Sequence, residues 1–201
     1  MTVTVLTGPS GVGKGTVVTR LIQQHPEIWL SVSVTTRSPR PSEKHGVNYW
    51  FVSDAEFDAL VASDDLLEWA LVHGVHRYGT PRQPVLDALA KGRACVLELD
   101  LAGARRVRRK MPEARTVFLM PPSRRELERR LRGRGTEDEA ELSRRFRTAE
   151  EELAAASEFD EIIVNRDVAK TCEELVGFMG LSAGNSGRET NPIEGIRDGP
   201  R

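Results

Sequence analysis

Cysteine is scarce. The 201 residues hold two, Cys95 and Cys172, with no spacing that suits a metal or a redox pair, so a disulfide framework and a thiolate metal centre are both excluded. Cys95 lies in the strand-like run Ala94-Cys95-Val96-Leu97, and both thiols read as buried and reduced. The four histidines, His25, His45, His73 and His76, form no ligand pattern either. No apolar run approaches the roughly 18 residues of a membrane span. The chain runs straight into an apolar strand, so no signal peptide is expected and the expected location is the cytoplasm. Aromatic residues make up 5%, and none interleave with the basic stretches, which argues against a stacking platform for nucleic acid. Net charge is −1, yet it is uneven: from Arg105 to Arg147 there are 15 Lys and Arg against 7 Asp and Glu. Most of those arginines read as solvated helix faces, but a subset has to be weighed as phosphate ligands. What is present is a hydrophobic content of 39%, enough for one α/β domain with small insertions.

The densest signal is Gly-Pro-Ser-Gly-Val-Gly-Lys-Gly-Thr at 8–16. It follows an apolar run, Val3-Thr4-Val5-Leu6-Thr7, and precedes a helical pattern in which Val17, Val18, Leu21 and Ile22 share a face. Strand, glycine loop and helix give the context a phosphate-binding loop needs; the alternative is a chance glycine turn before a helix, which leaves Lys14 little structural reason to be there. The glycines let successive N–H groups point at one anion, Lys14 adds a mobile charge, and the helix adds its N-terminal partial charge. The spacing fits G-x-x-x-x-G-K up to Lys14. It departs at the next position, where Gly15 replaces the usual hydroxyl and Thr16 follows.

Three further runs predict buried strands, over 94–99, 116–120 and 161–164. Helical patterns over 85–91, 101–110, 124–131, 139–156 and 168–179 separate or follow them. This alternation predicts a parallel sheet with helices on both faces and ligands at the carboxyl ends of its strands. Residues 32–80 break the rhythm and read as a small mixed α/β insertion. Within it, aromatics alternate over 48–52, Asp54 reads as the N-cap of a short helix carrying Phe57, Leu60 and Val61, and 66–72 reads as a strand. The patch Arg132-Gly133-Arg134-Gly135-Thr136 reads as an arginine-bearing lid. Residues 182–201 are rich in Gly, Asn, Pro and charge, and are expected to be disordered.

A second dense motif is Ser33-Val34-Thr35-Thr36-Arg37-Ser38-Pro39-Arg40-Pro41. Pro39 and Pro41 stiffen a turn that could hold the guanidinium groups of Arg37 and Arg40 ready for one phosphate, with Tyr49 and Tyr78 as hydroxyl donors. Taken alone, the motif reads equally well as a loop with surface arginines.

Gly-Pro-Ser-Gly-Val-Gly-Lys at 8–14, Ser-Val-Thr-Thr-Arg-Ser-Pro-Arg at 33–40, Glu68-Trp69-Ala70, Tyr78-Gly79-Thr80, Leu97-Glu98-Leu99-Asp100, the stretch 130–135 and Ile163-Val164-Asn165 stand in the order and spacing of guanylate kinases. The resemblance spans about residues 3 to 180. It implies a P-loop NTPase fold, a three-layer α/β/α core around a parallel sheet. The chain would divide into a core (1–31, 81–123 and 148–181), a mixed α/β GMP-binding insertion (32–80), a helical lid (124–147) and the tail. It implies transfer of phosphoryl from ATP to GMP with Mg2+, in purine nucleotide metabolism, with no nucleic-acid or membrane partner.

By the same resemblance Gly8, Pro9, Ser10, Gly11, Val12, Gly13, Lys14, Gly15 and Thr16 bind ATP together with Arg130, Arg134 and Asn165. Arg37, Arg40, Tyr49 and Tyr78 hold the GMP phosphate. Ser33, Glu68, Thr80, Glu98 and Asp100 line the remainder of the GMP pocket. Lys14, Arg37, Arg134 and Arg145 are the expected catalytic residues. The chemistry agrees: a carboxylate such as Glu68 can accept from N1–H and N2–H of guanine, and a hydroxyl such as Ser33 or Thr80 can serve O6. Without the family pattern, Glu68 would read as a surface residue on a strand. Three departures stand out. Gly15 leaves Mg2+ ligation to Thr16 or, through water, to Glu98 and Asp100. Glu98 replaces a more usual Asp. One extra residue lies between Glu68 and Tyr78, in His73-Gly74-Val75-His76-Arg77. Two rivals are a catalytically silent protein-binding module, which the presence of Lys14, Arg134 and Arg145 disfavours, and a kinase for another small phosphate ester, which the guanine-type residues disfavour.

Overall fold

A computed structural model describes residues 2–72, 75–132 and 139–181 of the chain. The expected lid centre at 133–138, including Arg134, lies outside the described residues, as do His73, Gly74 and the tail from 182 onward.

The core is a five-stranded parallel sheet in the order β2-β7-β1-β8-β9, built from β1 (Val3–Thr7), β2 (Trp29–Leu30), β7 (Cys95–Glu98), β8 (Arg115–Met120) and β9 (Glu161–Val164). Its central strand β1 is buried on both faces, as a parallel sheet requires. Alternation along the strands sends residues to two separate cores. Leu6, Val96, Val117 and Leu119 pack on α1 (Lys14–Gln24) and α7 (Val168–Phe178). Val3, Val5, Cys95 and Leu97 pack on α3 (Arg82–Ala90) and α4 (Leu101–Lys110). Both cysteines are free and buried, and burial pushes the Cys95 thiol up to about 11.

A second sheet, ordered β4-β3-β6-β5, is made of β3 (Val34–Thr35), β4 (Trp50–Phe51), β5 (Leu66–Val72) and β6 (His76–Pro81). Phe57 of α2 (Asp54–Ala62) is its fully buried anchor, packed with Val34 and Leu66. The sheet is tied to the core along the β5 edge. Arg106 of α4 donates to the Trp69 carbonyl, and Lys110 donates to the Leu66 carbonyl at 2.9 Å and to Asp64 at 2.9 Å.

Several expectations are corrected. β2, β3 and β6 were not among the expected strands: β2 and β3 are only two residues long, and β6, His-Arg-Tyr-Gly-Thr-Pro, has no apolar alternation. Of the alternating aromatic run over 48–52, only Trp50–Phe51 forms a strand. The N-cap of α2 is Ser53, not Asp54. Ser53 Oγ accepts from Glu56 N at 3.2 Å while the Glu56 carboxylate accepts from Ser53 N at 2.7 Å, a reciprocal capping box that Asp54 could not close. α3 starts three residues before the apolar pattern, since Pro84 is tolerated in a first turn. The helix expected over 139–156 ends at Ala154, and a 3-10 turn at Ala156–Glu158 follows.

Candidate active site

The loop after β1 is shaped by glycines where no other residue would serve. Gly8 has φ 148, and a Cβ there would lie 2.4 Å from the Leu119 carbonyl oxygen. Gly13, the N-cap of α1, has φ 101. Between them Val12 is fully buried and pins the loop to the core. The Val12 carbonyl accepts from Asn165 Nδ2 at 2.8 Å and from an Arg130 Nη at 2.9 Å; Asn165 in turn accepts from Thr171 Oγ at 3.2 Å. Arg130 lies on α5 (Arg124–Arg132), where its Nε also donates to Glu126. Lys14 curls back over the loop and donates to the Gly8 and Pro9 carbonyls. Ser10 is held by α6 (Glu139–Ala154): its N–H donates to Glu152 Oε2 at 3.2 Å, and its Oγ accepts from an Arg145 Nη at 3.1 Å.

Glu68 and Thr80 face each other across β5 and β6, and Thr80 Oγ donates to Glu68 Oε1 at 2.7 Å. Glu68 is 5% exposed, and burial pushes its carboxyl up to about 7; the Thr80 hydrogen bond pulls it down and the Asp100 charge pushes it up. Asp100 caps α4, accepting from Gly103 N at 2.7 Å. A Cβ on Gly103 would stand 3.0 Å from Glu68 Oε2 and 3.2 Å from Asp100 Oδ1, so both carboxylates close on the bare first turn of α4. Glu98, at the end of β7, is exposed to solvent. Desolvation raises its pKa, and the Lys14 charge lowers it.

Arg37 is clamped. Its Nε donates to Tyr78 Oη at 2.9 Å, one Nη reaches both Glu43 oxygens at 2.8 and 2.9 Å, and the other donates to the Ser38 carbonyl at 2.8 Å. The rings of Tyr49 and Phe51 lie 5.5 and 5.8 Å from its guanidinium carbon. Glu43 also accepts from the Arg40 backbone N–H at 2.8 Å, while the Arg40 side chain is exposed. Arg37 is thereby held as a cation, its pKa raised first by the Glu43 hydrogen bond.

A glycine loop with lysine, a buried carboxylate facing Thr80 and an arginine clamped by Glu43 and Tyr78 agree with the comparisons to known proteins. The guanylate kinase family profile matches residues 1–180. The chain belongs to the guanylate kinase family. It is 60% identical over 176 residues to the guanylate kinase of Thermobifida fusca, covering 88% of this chain and 89% of that one. It is 58% identical over 178 residues to that of Streptomyces coelicolor, with 89% and 90% covered. The crystal structure of the guanylate kinase from Anaplasma phagocytophilum superposes with a TM-score of 0.73 at 32% identity, covering 89% of this chain and 84% of that one.

Set on this guanylate kinase fold, most of the predicted residues fall into three groups. Gly8 to Thr16, Arg130, Arg145 and Asn165 gather at the loop, with Thr16 exposed on the first turn of α1. Arg37, Tyr49 and Tyr78 meet around one guanidinium, and Glu68, Thr80 and Asp100 meet at the start of α4. Ser33 is half-buried on the loop before β3, its carbonyl accepting from Trp50 N at 2.8 Å. Arg40 turns its side chain outward. Three participants escaped the sequence reading: Glu43, Gly103 and Glu152. Glu43 stands six residues after Arg37 on the same turn, a spacing that offered a faint signal; the other two offered none.

Proposed function

We propose that this guanylate kinase transfers the γ-phosphoryl group of ATP to GMP, giving ADP and GDP, with the two substrates in one cleft at the carboxyl ends of the core strands. The observation that carries the reading is Glu68: a carboxylate buried against Thr80, Asp100 and the bare turn at Gly103 has no core function to justify its desolvation. It suits a base that presents two donors side by side. Adenine lacks both donors and would leave Glu68 unpaired, at a cost of more than roughly 1–3 kcal/mol.

The attacking GMP phosphate oxygen is already anionic, so the reaction needs positive charge more than it needs a base. In this reading Arg37, Arg40, Tyr49 and Tyr78 hold the GMP phosphate, and Ser33, Thr80, Glu98 and Asp100 complete the GMP pocket around Glu68. The glycine loop, Lys14, Arg130 and Asn165 hold the triphosphate. Arg145 and Arg134 bring charge to the transferring group. Residues 32–80 act as the GMP-binding insertion, 124–147 as the lid, and the remainder to 181 as the core.

Mg2+ fits this donor set. A Cβ at Gly15 would sit 3.9 Å from Glu98 Oε1, so the position that usually carries a hydroxyl faces a carboxylate instead. Hard oxygen donors of that kind suit Mg2+ held through water, and Thr16 offers a hydroxyl nearby. Among the described residues no three His, Cys, Asp or Glu side chains cluster as a closed metal site. The ion would neutralise phosphate charge. No helix among the described residues is long and apolar enough to cross a membrane.

The test is a panel of GMP, dGMP, AMP, CMP and UMP with ATP and Mg2+, read as ADP formation by the full chain. The expected result is turnover of GMP with kcat/KM above that of AMP by at least about 100-fold. Absence of turnover, or preference for another phosphate ester, would overturn the reading.

A further inference from the structure

Glu152 has no part in the scheme above, yet it reaches the phosphate loop. It is half-buried on α6 and accepts the Ser10 N–H at 3.2 Å. Arg145 stands seven residues earlier, two turns of helix, and so on the same face. It donates to the hydroxyl of the same serine at 3.1 Å. Between them on that face, Ala149 is 2% exposed and packs on Leu127 and Leu131 of α5. Leu131 in turn abuts the loop, since a Cβ on Gly11 would lie 3.0 Å from it. One face of α6 therefore reaches Ser10 of the loop through two different groups.

A carboxylate beside a triphosphate site repels the substrate. Burial also raises its pKa, with the Lys14 charge and the Ser10 amide opposing that rise. Neither feature favours anion binding, so what the carboxylate contributes must come from its contact. That contact is with a backbone N–H of the loop, and it ties α6 to the loop. We propose that Glu152 is a positioning residue for phosphoryl transfer: by accepting the Ser10 N–H it docks α6 on the phosphate loop and sets where Arg145 meets the transferring phosphate. The inference rests on the reading of this site as an ATP:GMP phosphotransferase centre.

Glu152→Ala, Glu152→Gln and Glu152→Asp are compared in the full chain, with Glu151→Ala as an exposed neighbour on the same helix. Steady-state kinetics give kcat and both KM values, and amide hydrogen exchange gives the protection of Ser10. Glu152→Ala should lower kcat at least about tenfold, leave KM for GMP within about twofold, and speed Ser10 exchange. Glu152→Gln should recover most of kcat, because its amide oxygen can take the same N–H. Glu152→Asp keeps the charge but withdraws the oxygen, and should behave like Ala; it also serves if the Ala variant folds poorly. Arg145→Ala combined with Glu152→Ala should be no slower than Arg145→Ala alone. Wild-type kcat in Glu152→Asp or Ala, additive losses in the double variant, or unchanged Ser10 exchange would each overturn the proposal. Absence of GMP turnover by the wild type would count against the phosphotransferase reading instead, and Ser10 exchange would still report whether Glu152 docks α6.

Discussion

Glu68 must be ionised to accept two donors from guanine, and its surroundings resist ionisation. Its carboxyl sits at about 7, against an ordinary 4.5, with burial as the main cause. Because the folded-state value is raised, this group contributes stability that is fully present below about pH 4.5 and is lost as pH rises through about 7. The difference corresponds to roughly 3 kcal/mol between the two ends of that window. Glu68→Gln removes the charge while keeping an acceptor for Thr80. Its melting temperature should therefore exceed that of the wild type at pH 8, and the advantage should vanish near pH 5. GMP binding moves the opposite way. If only the ionised form binds, the apparent GMP constant weakens by about tenfold from pH 8 to pH 6. The phosphate of GMP also titrates near pH 6, and Glu68→Gln reports that part alone. Calorimetric titration of GMP into both proteins across this range, with thermal melts alongside, decides the matter. A wild-type profile no steeper than that of Glu68→Gln, or a Glu68→Gln protein that melts lower at pH 8 and still selects GMP over AMP, would refute the reasoning.

Lys14→Ala should fold normally and lose turnover, since Lys14 contacts loop carbonyls and adds nothing to the apolar core; melting and initial rates test it. Arg145→Ala should lower kcat by on the order of 10³-fold with a far smaller change in KM for GMP, while the exposed Arg144→Ala stays near wild type; equal small effects in both would remove Arg145 from the transfer step. Gly103→Ala adds a Cβ 3.0 Å from Glu68 Oε2 and 3.2 Å from Asp100 Oδ1. It should raise KM for GMP by about tenfold while stability holds or rises, because alanine in a helix is favoured over glycine by roughly 1 kcal/mol; an unchanged KM would show that the two carboxylates do not close on this turn.

Elements long enough to bury a face were written locally. The strands at 3–7, 66–72 and 161–164 were legible as short apolar runs, and the helix at 101–110 as a periodic apolar face. The loop at 8–14 was legible for a similar reason: its glycines and lysine act through their own backbone and charge, within a few residues of one another. The pocket residues were harder. Glu68 read as a surface position until the whole-chain resemblance was weighed, because what buries it is α4, more than thirty residues away in sequence. Ser53 displaced Asp54 as a helix cap through a reciprocal bond to Glu56, a choice between two good caps that composition alone does not make. β2 and β3 exist only because a neighbouring strand offers hydrogen bonds, so two residues suffice and no pattern remains. Glu43, Gly103 and Glu152 act on Arg37, Glu68 and Ser10 through contacts made only after folding. A periodic signal records which side of an element meets the core. It holds no record of which single polar atom on another element waits there, and in this protein that pairing is settled by tertiary packing.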